Sequence, residues 1–400
     1  MEHTDIAIIG AGLAGALAAL ALSRDGRTVA LVAPMAPHDR RTTALMDEAI
    51  GFLKRLELGD AFAQLGAPLA TLRIIDGTDR LLRAPVVTFR AAEIGLDAFG
   101  YNLPNAPFLE GLNRRIESAP SITRIDARLE HLEETATGCT LTLADGRSLT
   151  ASLVIGADGR RSHVRQAHGI GTRAWSYPQT AVVLNFAHEQ PHENISTEFH
   201  TRQGPFTQVP LPGNRSSLVW VMTPDAAAEM LARDTAALSS AVEHRMQSML
   251  GKVTVDTEPQ AFPLSGMAAT RFGKGRVILV GEAAHAFPPI GAQGLNLSLR
   301  DVMTLVAMLA ELPTIAADLG DRYDRRRRAD ILSRTVSVDL LNRSLLTGFL
   351  PVQMLRAGGL QVLSSAGALR SLVMQEGLRP GSAIRSLLGD LREKIGRHSA

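Results

Sequence analysis

The stretch Ile6–Val32, IAIIGAGLAGALAALALSRDGRTVALV, decides the fold. Ile6–Ile9 is a short apolar run of strand character that enters Gly10-Ala11-Gly12-Leu13-Ala14-Gly15 without a break. An alanine- and leucine-rich helical segment follows to Ser23, Arg24–Arg27 make a turn, and Thr28–Val32 reads as a second strand. Strand, G-x-G-x-x-G, helix and strand in that order are the βαβ signature of a dinucleotide-binding unit. Gly10 permits the tight turn, Gly12 lets the backbone approach a diphosphate, and Gly15 lets the helix pack on the strand. Leu13 and Ala14 open a helix whose first N–H groups would face that diphosphate. One part is missing: an acid about 20 residues on should take the ribose hydroxyls, but the sequence there reads Val32-Ala33-Pro34. Arg40 and Arg41 follow, suited either to the 2′-phosphate of NADP or to the diphosphate of FAD, and spacing does not separate the two.

Two further junctions of the same kind lie downstream. Leu153-Val154-Ile155 runs into Gly156-Ala157-Asp158-Gly159-Arg160-Arg161-Ser162, which places a carboxylate at a strand end. Val277–Val280 runs into Gly281–Asn296, GEAAHAFPPIGAQGLN, and then into the helical pattern Leu297–Leu309. That last stretch is a strand, a rigid glycine- and proline-bearing loop and a helix N-terminus. A helix N-terminus has unpaired N–H groups and a partial positive charge, and suits an anion or a ring that becomes negative during reaction.

Between the junctions, Ala44–Leu58 has the helical spacing of Leu45, Ile50, Leu53 and Leu56, and Asn105–Ile116 is a second amphipathic helix. Thr71–Val87 alternates like strands around Asp76-Gly77, and Thr140–Leu143 with Arg147–Thr150 forms a hairpin through Asp145-Gly146. From Thr172 to Phe262 alternating segments at Thr180–Phe186, Ser196–His200 and Ser216–Met222 indicate a separate, mostly antiparallel sheet. The reading is an α/β chain: a Rossmann-like domain from 1–72, 98–171 and 266–345, an inserted sheet domain from 73–97 and 172–265, and a helical tail over 346–400.

Composition limits the alternatives. The 400 residues are 45% hydrophobic and 20% charged with a net charge of +2, which excludes overall disorder and gives no case for nucleic acid. The basic cluster Arg325–Arg328 reads as a solvated helix face. The single cysteine, Cys139, excludes an intramolecular disulfide, suits a reducing compartment and reads as a packing residue. No run of 18 apolar residues provides a membrane span, so the expected location is cytoplasmic or peripheral on the inner membrane face. His188, His192 and His200 lack metal-ligand spacing, and no metal is expected.

Three glycine junctions in this order resemble the class A flavoprotein aromatic hydroxylases, the fold group of 4-hydroxybenzoate hydroxylase, over nearly the whole chain. Within that group Trp175–Thr180 (WSYPQT), Gly204-Pro205-Phe206, Val209–Pro212, Arg41–Leu45 and Gly294–Leu297 with Arg300-Asp301 look like the ubiquinone-biosynthesis hydroxylases. The resemblance implies that Gly10, Gly12, Leu13, Ala14 and Gly15 hold the FAD diphosphate, that Arg41 contacts FAD, and that Asp158 serves FAD and the pyridine nucleotide. It implies that Gly281, Glu282, Gly291, Gly294, Leu295 and Asn296 line the flavin. Glu282 departs from the Asp usual at its position.

The implied reaction is hydroxylation of a phenolic, polyprenylated ring by NAD(P)H and O2 through a flavin C4a-hydroperoxide. Gln293 and Gly294 would bring a helix end to the reduced pyrimidine. Pro288 and Pro289 would wall off water, and His285 is read as a structural hydrogen-bonding residue. Tyr177 and Gln179 either face the ring or pack within a strand. A lipophilic substrate also implies peripheral membrane contact, a quinone-biosynthesis complex or a homodimer as settings for the chain. Competing readings are another flavin oxidoreductase on this fold, a hydroxylase of a soluble aromatic, or a non-catalytic scaffold subunit. Trp175 and Trp220 stand alone, without the Trp-x-Trp pattern of flavin halogenases.

Overall fold

The strand Glu2–Ile9 is the centre of the first sheet, with Val29–Val32 on one side and Ser148–Gly156 on the other, all parallel. The computed structural model describes residues 2–34, 39–59, 64–78, 83–288, 293–346 and 367–378. Ile122–Ile125 and Val277–Leu279 extend the parallel sheet outward. Their short, continuous apolar runs belong to strands covered on both faces, and Ile6, Ala7, Ile8, Leu31, Leu153, Val154, Ile155 and Ile278 are completely buried. Cys139–Leu143 folds back on Ser148–Gly156 through Gly146, at φ +85°, as the Asp145-Gly146 pattern predicts.

The second sheet is mostly antiparallel and follows the order His285–Ala286, Gln260–Ala269, Thr172–His188, Arg215–Met222, Pro205–Leu211, Ile195–His200, Thr71–Asp76, Val87–Arg90. Its outer face carries Val182, Leu184, Phe186, Phe206, Leu218 and Trp220 against the helices Pro224–Leu231 and Thr235–Arg245. The alternate residues Ala181, Val219 and Val221, with Tyr177 and Leu264, form an apolar wall on the inner face. That face turns toward the first layer: Thr42 Oγ1 donates to Ser217 Oγ at 3.1 Å, and Asn102 Nδ2 donates to Pro210 O at 2.9 Å. Thr71–Asp76 straddles residue 72, and Gln260–Ala269 straddles residue 265.

Three segments differ from expectation. The helix read over Ala44–Leu58 is a strand, Thr42–Met46, followed by the helix Asp47–Arg55. Thr42–Met46 pairs with Gly100–Pro104, and that backbone partner overrides the 3.6-residue spacing seen around Leu45. Around Asp76-Gly77 the two expected strands form and pair, but the second begins only at Val87 and runs to Arg90. The cluster Arg325–Arg328 is only half solvated: Arg325 and Arg326 are exposed, but Arg327 is 4% exposed. Asp301 and Asp330 compensate its buried charge, so it is a core residue. Of the tail, the helix Gly367–Leu378 lies among the described residues, and Met374 packs with Ala91 and Phe99. None of the described helices is long and apolar enough to cross a membrane.

Candidate functional site

The three glycine junctions converge on one point. Gly10, at φ +109°, lies so close to the second junction that a Cβ would sit 2.3 Å from Ala157 O. A Cβ on Gly15 would fall 1.9 Å from Gly10 O, which is why the helix Leu13–Arg24 can press onto the strand end. At Gly281, φ +61°, a Cβ would lie 3.4 Å from the Ala14 Cβ, so the third junction abuts the same helix start. Gly12 is the exception. No atom lies within 4 Å of its Cβ position, and it opens the helix with no side-chain cap. Open space in front of uncapped N–H groups fits a diphosphate.

Glu282 is exposed beside Gly281 and within electrostatic reach of Arg41. The hydrogen bond to Asp39, followed by the charges of Asp39 and Glu282, raises the Arg41 guanidinium above its ordinary value. Arg41 grips Asp39 with two bonds, Nε to Oδ1 at 2.8 Å and Nη2 to Oδ2 at 2.9 Å, and lies 5.8 Å over the Phe262 ring. Asn105 Nδ2 donates to the same carboxylate at 2.9 Å. Burial opposes ionisation of Asp39, but Arg41 and Asn105 outweigh it and hold the carboxyl below its usual range.

Behind the Gly281 loop is a buried ionic network. Asp301, fully buried in the third turn of the helix Gln293–Ala310, accepts from Gly281 N at 3.0 Å, His285 Nε2 at 2.6 Å and Arg327 Nε at 2.9 Å. Burial works against its ionised form, but His285 and Arg327 overcome this and lower its pKa. His285, stacked on Phe287 at 5.5 Å, therefore anchors the loop. Asn296 also joins two elements, since its Oδ1 accepts from Met46 N at 2.8 Å and its Nδ2 donates to Ala44 O at 2.7 Å. The side chain acts as a neighbouring strand would and ties the helix to Thr42–Met46.

The remaining candidates divide. Leu13, Ala14, Gly294 and Leu295 lie at the two helix starts, and no atom lies within 4 Å of the Gly294 Cβ position. Pro288 is buried; Pro289 and Gly291 lie outside the described residues, and of Gln293 the backbone alone is described. Asp158 Oδ2 caps His163 N at 2.6 Å and Val164 N at 3.1 Å, and its Oδ1 is buried with no partner among the described residues. One oxygen is therefore structural and the other is available to a donor. Gln179 is buried, with Nε2 donating to Gln203 O at 2.8 Å, and Tyr177 OH accepts from Trp175 Nε1 at 2.7 Å. Cys139 is buried, and desolvation, then Glu134, pushes its thiol up to about 12.

Comparison with known proteins agrees with this geometry. The chain matches the FAD binding domain family over residues 3–336. It is 32% identical to the ubiquinone hydroxylase UbiL of Rhodospirillum rubrum, across 94% of this chain and 89% of that protein. It is 30% identical to the 3-demethoxyubiquinol 3-hydroxylase of Escherichia coli K12, across 94% and 99%. Among solved structures, p-nitrophenol 4-monooxygenase PnpA from Pseudomonas putida DLL-E4 superimposes with a TM-score of 0.77 at 19% identity, covering 94% of this chain and 99% of that one. HpxO of Klebsiella pneumoniae, complexed with FAD and uric acid, has a TM-score of 0.74 at 19% identity, covering 94% and 96%. At those identities the structures speak for the fold.

Proposed function

The chain belongs to the FAD binding domain family of flavin-dependent monooxygenases, and from that premise we propose that it hydroxylates a polyprenylated phenolic ring in ubiquinone biosynthesis, using NAD(P)H and O2. The observation that carries the reading is near-full-length similarity to two ubiquinone-pathway hydroxylases, joined to an apolar inner wall on the sheet face that turns toward the first layer. FAD, when bound, would relay the reducing equivalents of NAD(P)H to oxygen and so activate it. The protein positions it and excludes water.

In this proposal the N–H groups after Gly12 would receive the diphosphate, and Arg41, oriented by Asp39, would contact the FAD. Glu282 accepts from a flavin side-chain hydroxyl. The N-terminus of the helix Gln293–Ala310, carrying Gly294, would lend its dipole to the flavin ring. Pro288 closes one side. Tyr177, Ala181, Val219, Val221 and Leu264 receive the apolar ring and the first isoprene unit. The first-layer segments with 266–345 form the FAD-binding domain, and 73–97 with 172–265 form the substrate domain. Contact with a membrane face, a homodimer or a quinone-biosynthesis complex belongs to the same proposal. Equal liposome flotation of the chain with and without 348–400 would remove the tail from the membrane case.

The deciding experiment is a purified-protein assay with 2-geranylphenol. A flavin absorbance band, NAD(P)H oxidation stimulated by the phenol and a product heavier by one oxygen atom are expected. A protein that takes up no added FAD overturns the reading and leaves a scaffold role.

A further inference from the structure

Glu198 and His200 lie two residues apart on the strand Ile195–His200, so their side chains share a face. Phe199 between them enters the outer core beside Phe206, with ring centroids 5.7 Å apart. The pair therefore stands on the inner face, the face of the apolar wall. The register places it closely. Glu198 is opposite Thr207, and Thr207 is opposite Val219, so two strand spacings, roughly 10 Å, separate the carboxylate from the wall.

The local chemistry is that of an oriented base. His200 Nε2 lies 2.8 Å from Glu198 Oε1, and Thr207 Oγ1 donates to Glu198 Oε2 at 3.1 Å. A carboxylate accepts, so Nε2 carries the proton and Nδ1 of the neutral ring is left as an acceptor. Nδ1 has no hydrogen-bond partner among the described residues. The His200 side chain is 10% exposed and that of Glu198 26%, so the dyad is largely screened from bulk water. The acid on the neighbouring strand, Asp76, is paired in register with His200 and accepts from Thr78 and Ala84. The strand Pro205–Leu211 contributes no titratable side chain.

We propose that His200 accepts the phenolic proton of the substrate, with Glu198, held by Thr207, as its positioning residue. The phenol O–H bond breaks, its electron pair stays on oxygen, and the proton forms an N–H bond at Nδ1. The imidazolium shares its Nε2 proton with Glu198. No electron changes hands in this step. The phenolate directs electron density to its ortho and para carbons, as hydroxylation requires, and the proton returns to oxygen afterward. This rests on the phenolic substrate proposed above.

The test uses FAD-loaded protein and 2-geranylphenol at neutral pH. Wild type is expected to show the red-shifted absorbance of bound phenolate. His200→Gln should lose that band, keep FAD content and melting temperature, and fall about 100- to 10,000-fold in kcat. Glu198→Gln should give a weaker band and an intermediate rate. Ring-fluorinated analogues already ionised at that pH should bring His200→Gln to within about tenfold of wild type, because no base is then needed. If the deficit is equal for acidic and ordinary phenols, or the band persists in His200→Gln, the proposal is overturned. Should His200→Gln misfold, an undiminished band in Glu198→Gln overturns it too. Failure of wild type to bind the phenol in equilibrium dialysis sinks both this proposal and the phenolic reading.

Discussion

Replacing Asp301 with Asn should loosen the Gly281 loop and the helix Leu319–Leu346 together, because one carboxylate holds both. The carboxylate receives Gly281 N, His285 Nε2 and Arg327 Nε at 3.0, 2.6 and 2.9 Å, with no exposure to water. Breaking a buried ion pair from one side costs about 3–5 kcal/mol, since the other charge is left uncompensated. Asp330 still faces Arg327, with 26% of its side chain exposed, which favours the lower end, about 3 kcal/mol. FAD affinity should fall about tenfold, or about 1.4 kcal/mol, as the loop bearing Glu282 loses its tether. Adding Arg327→Met removes the stranded charge, so the double variant should recover at least half the stability but not the affinity.

Urea unfolding and fluorescence titration with FAD read the two effects separately. A single variant within about 0.5 kcal/mol of wild type, the range of an unremarkable surface substitution, would refute the reasoning. So would a double variant no more stable than the single. The pH dependence has a defined sign. The Asp301 pKa is depressed in the fold, so its contribution is fully present above the unfolded value of about 3.9 and is lost as pH falls through the folded value. Wild type should lose this contribution below about pH 4, and Asp301→Asn should lack that part of its acid sensitivity.

Gly12→Ala should fold normally, because no protein atom lies within 4 Å of the new Cβ, and yet bind FAD at least tenfold more weakly, about 1.4 kcal/mol. Gly15→Ala should be unstable, since its Cβ falls 1.9 Å from Gly10 O; equal stability of the two variants in urea would sink the distinction. Glu282→Gln should weaken FAD binding by about 1.5–3 kcal/mol if its carboxylate accepts from the flavin side chain, and unchanged affinity by titration would dismiss that role. Cys139, with its thiol at about 12, should resist a thiol reagent at neutral pH in the native protein and react on unfolding; fast native labelling would contradict its burial.

Much of this was legible in the chain because short-range rules dominate at the glycine junctions. The strand, the Gly10-Gly12-Gly15 spacing and the helix follow one another directly in the chain, although the atom that bars a Cβ at Gly10 belongs to distant Ala157. Alternation along Thr180–Phe186 or Ser216–Met222 needs no distant partner to be seen. What escaped depends on contacts far apart in sequence. Thr42–Met46 is a strand because Gly100–Pro104 lies beside it, and Leu45 matches either period. Arg327 is inside because Asp301, 26 positions earlier, faces it. Asn296 fitted the family pattern as a flavin residue, and only the fold revealed its two bonds to Ala44 and Met46. The i, i+2 spacing of Glu198 and His200 was visible, but which face they shared depended on the neighbouring strands.

The second sheet is assembled from three separate lengths of chain. Thr71–Asp76 and Val87–Arg90 arrive at one edge, the long run Thr172–Ala269 fills the middle, and His285–Ala286 closes the other edge from within the flavin loop. Neither layer can be cut out with its hydrogen bonding intact, so both should melt in one transition. A ligand held by the first layer then protects the second equally. FAD at a hundred times its dissociation constant adds about 2.7 kcal/mol to the whole molecule. A cell short of riboflavin would thus lose the protein to proteolysis, as well as its activity, and its abundance would report the vitamin supply.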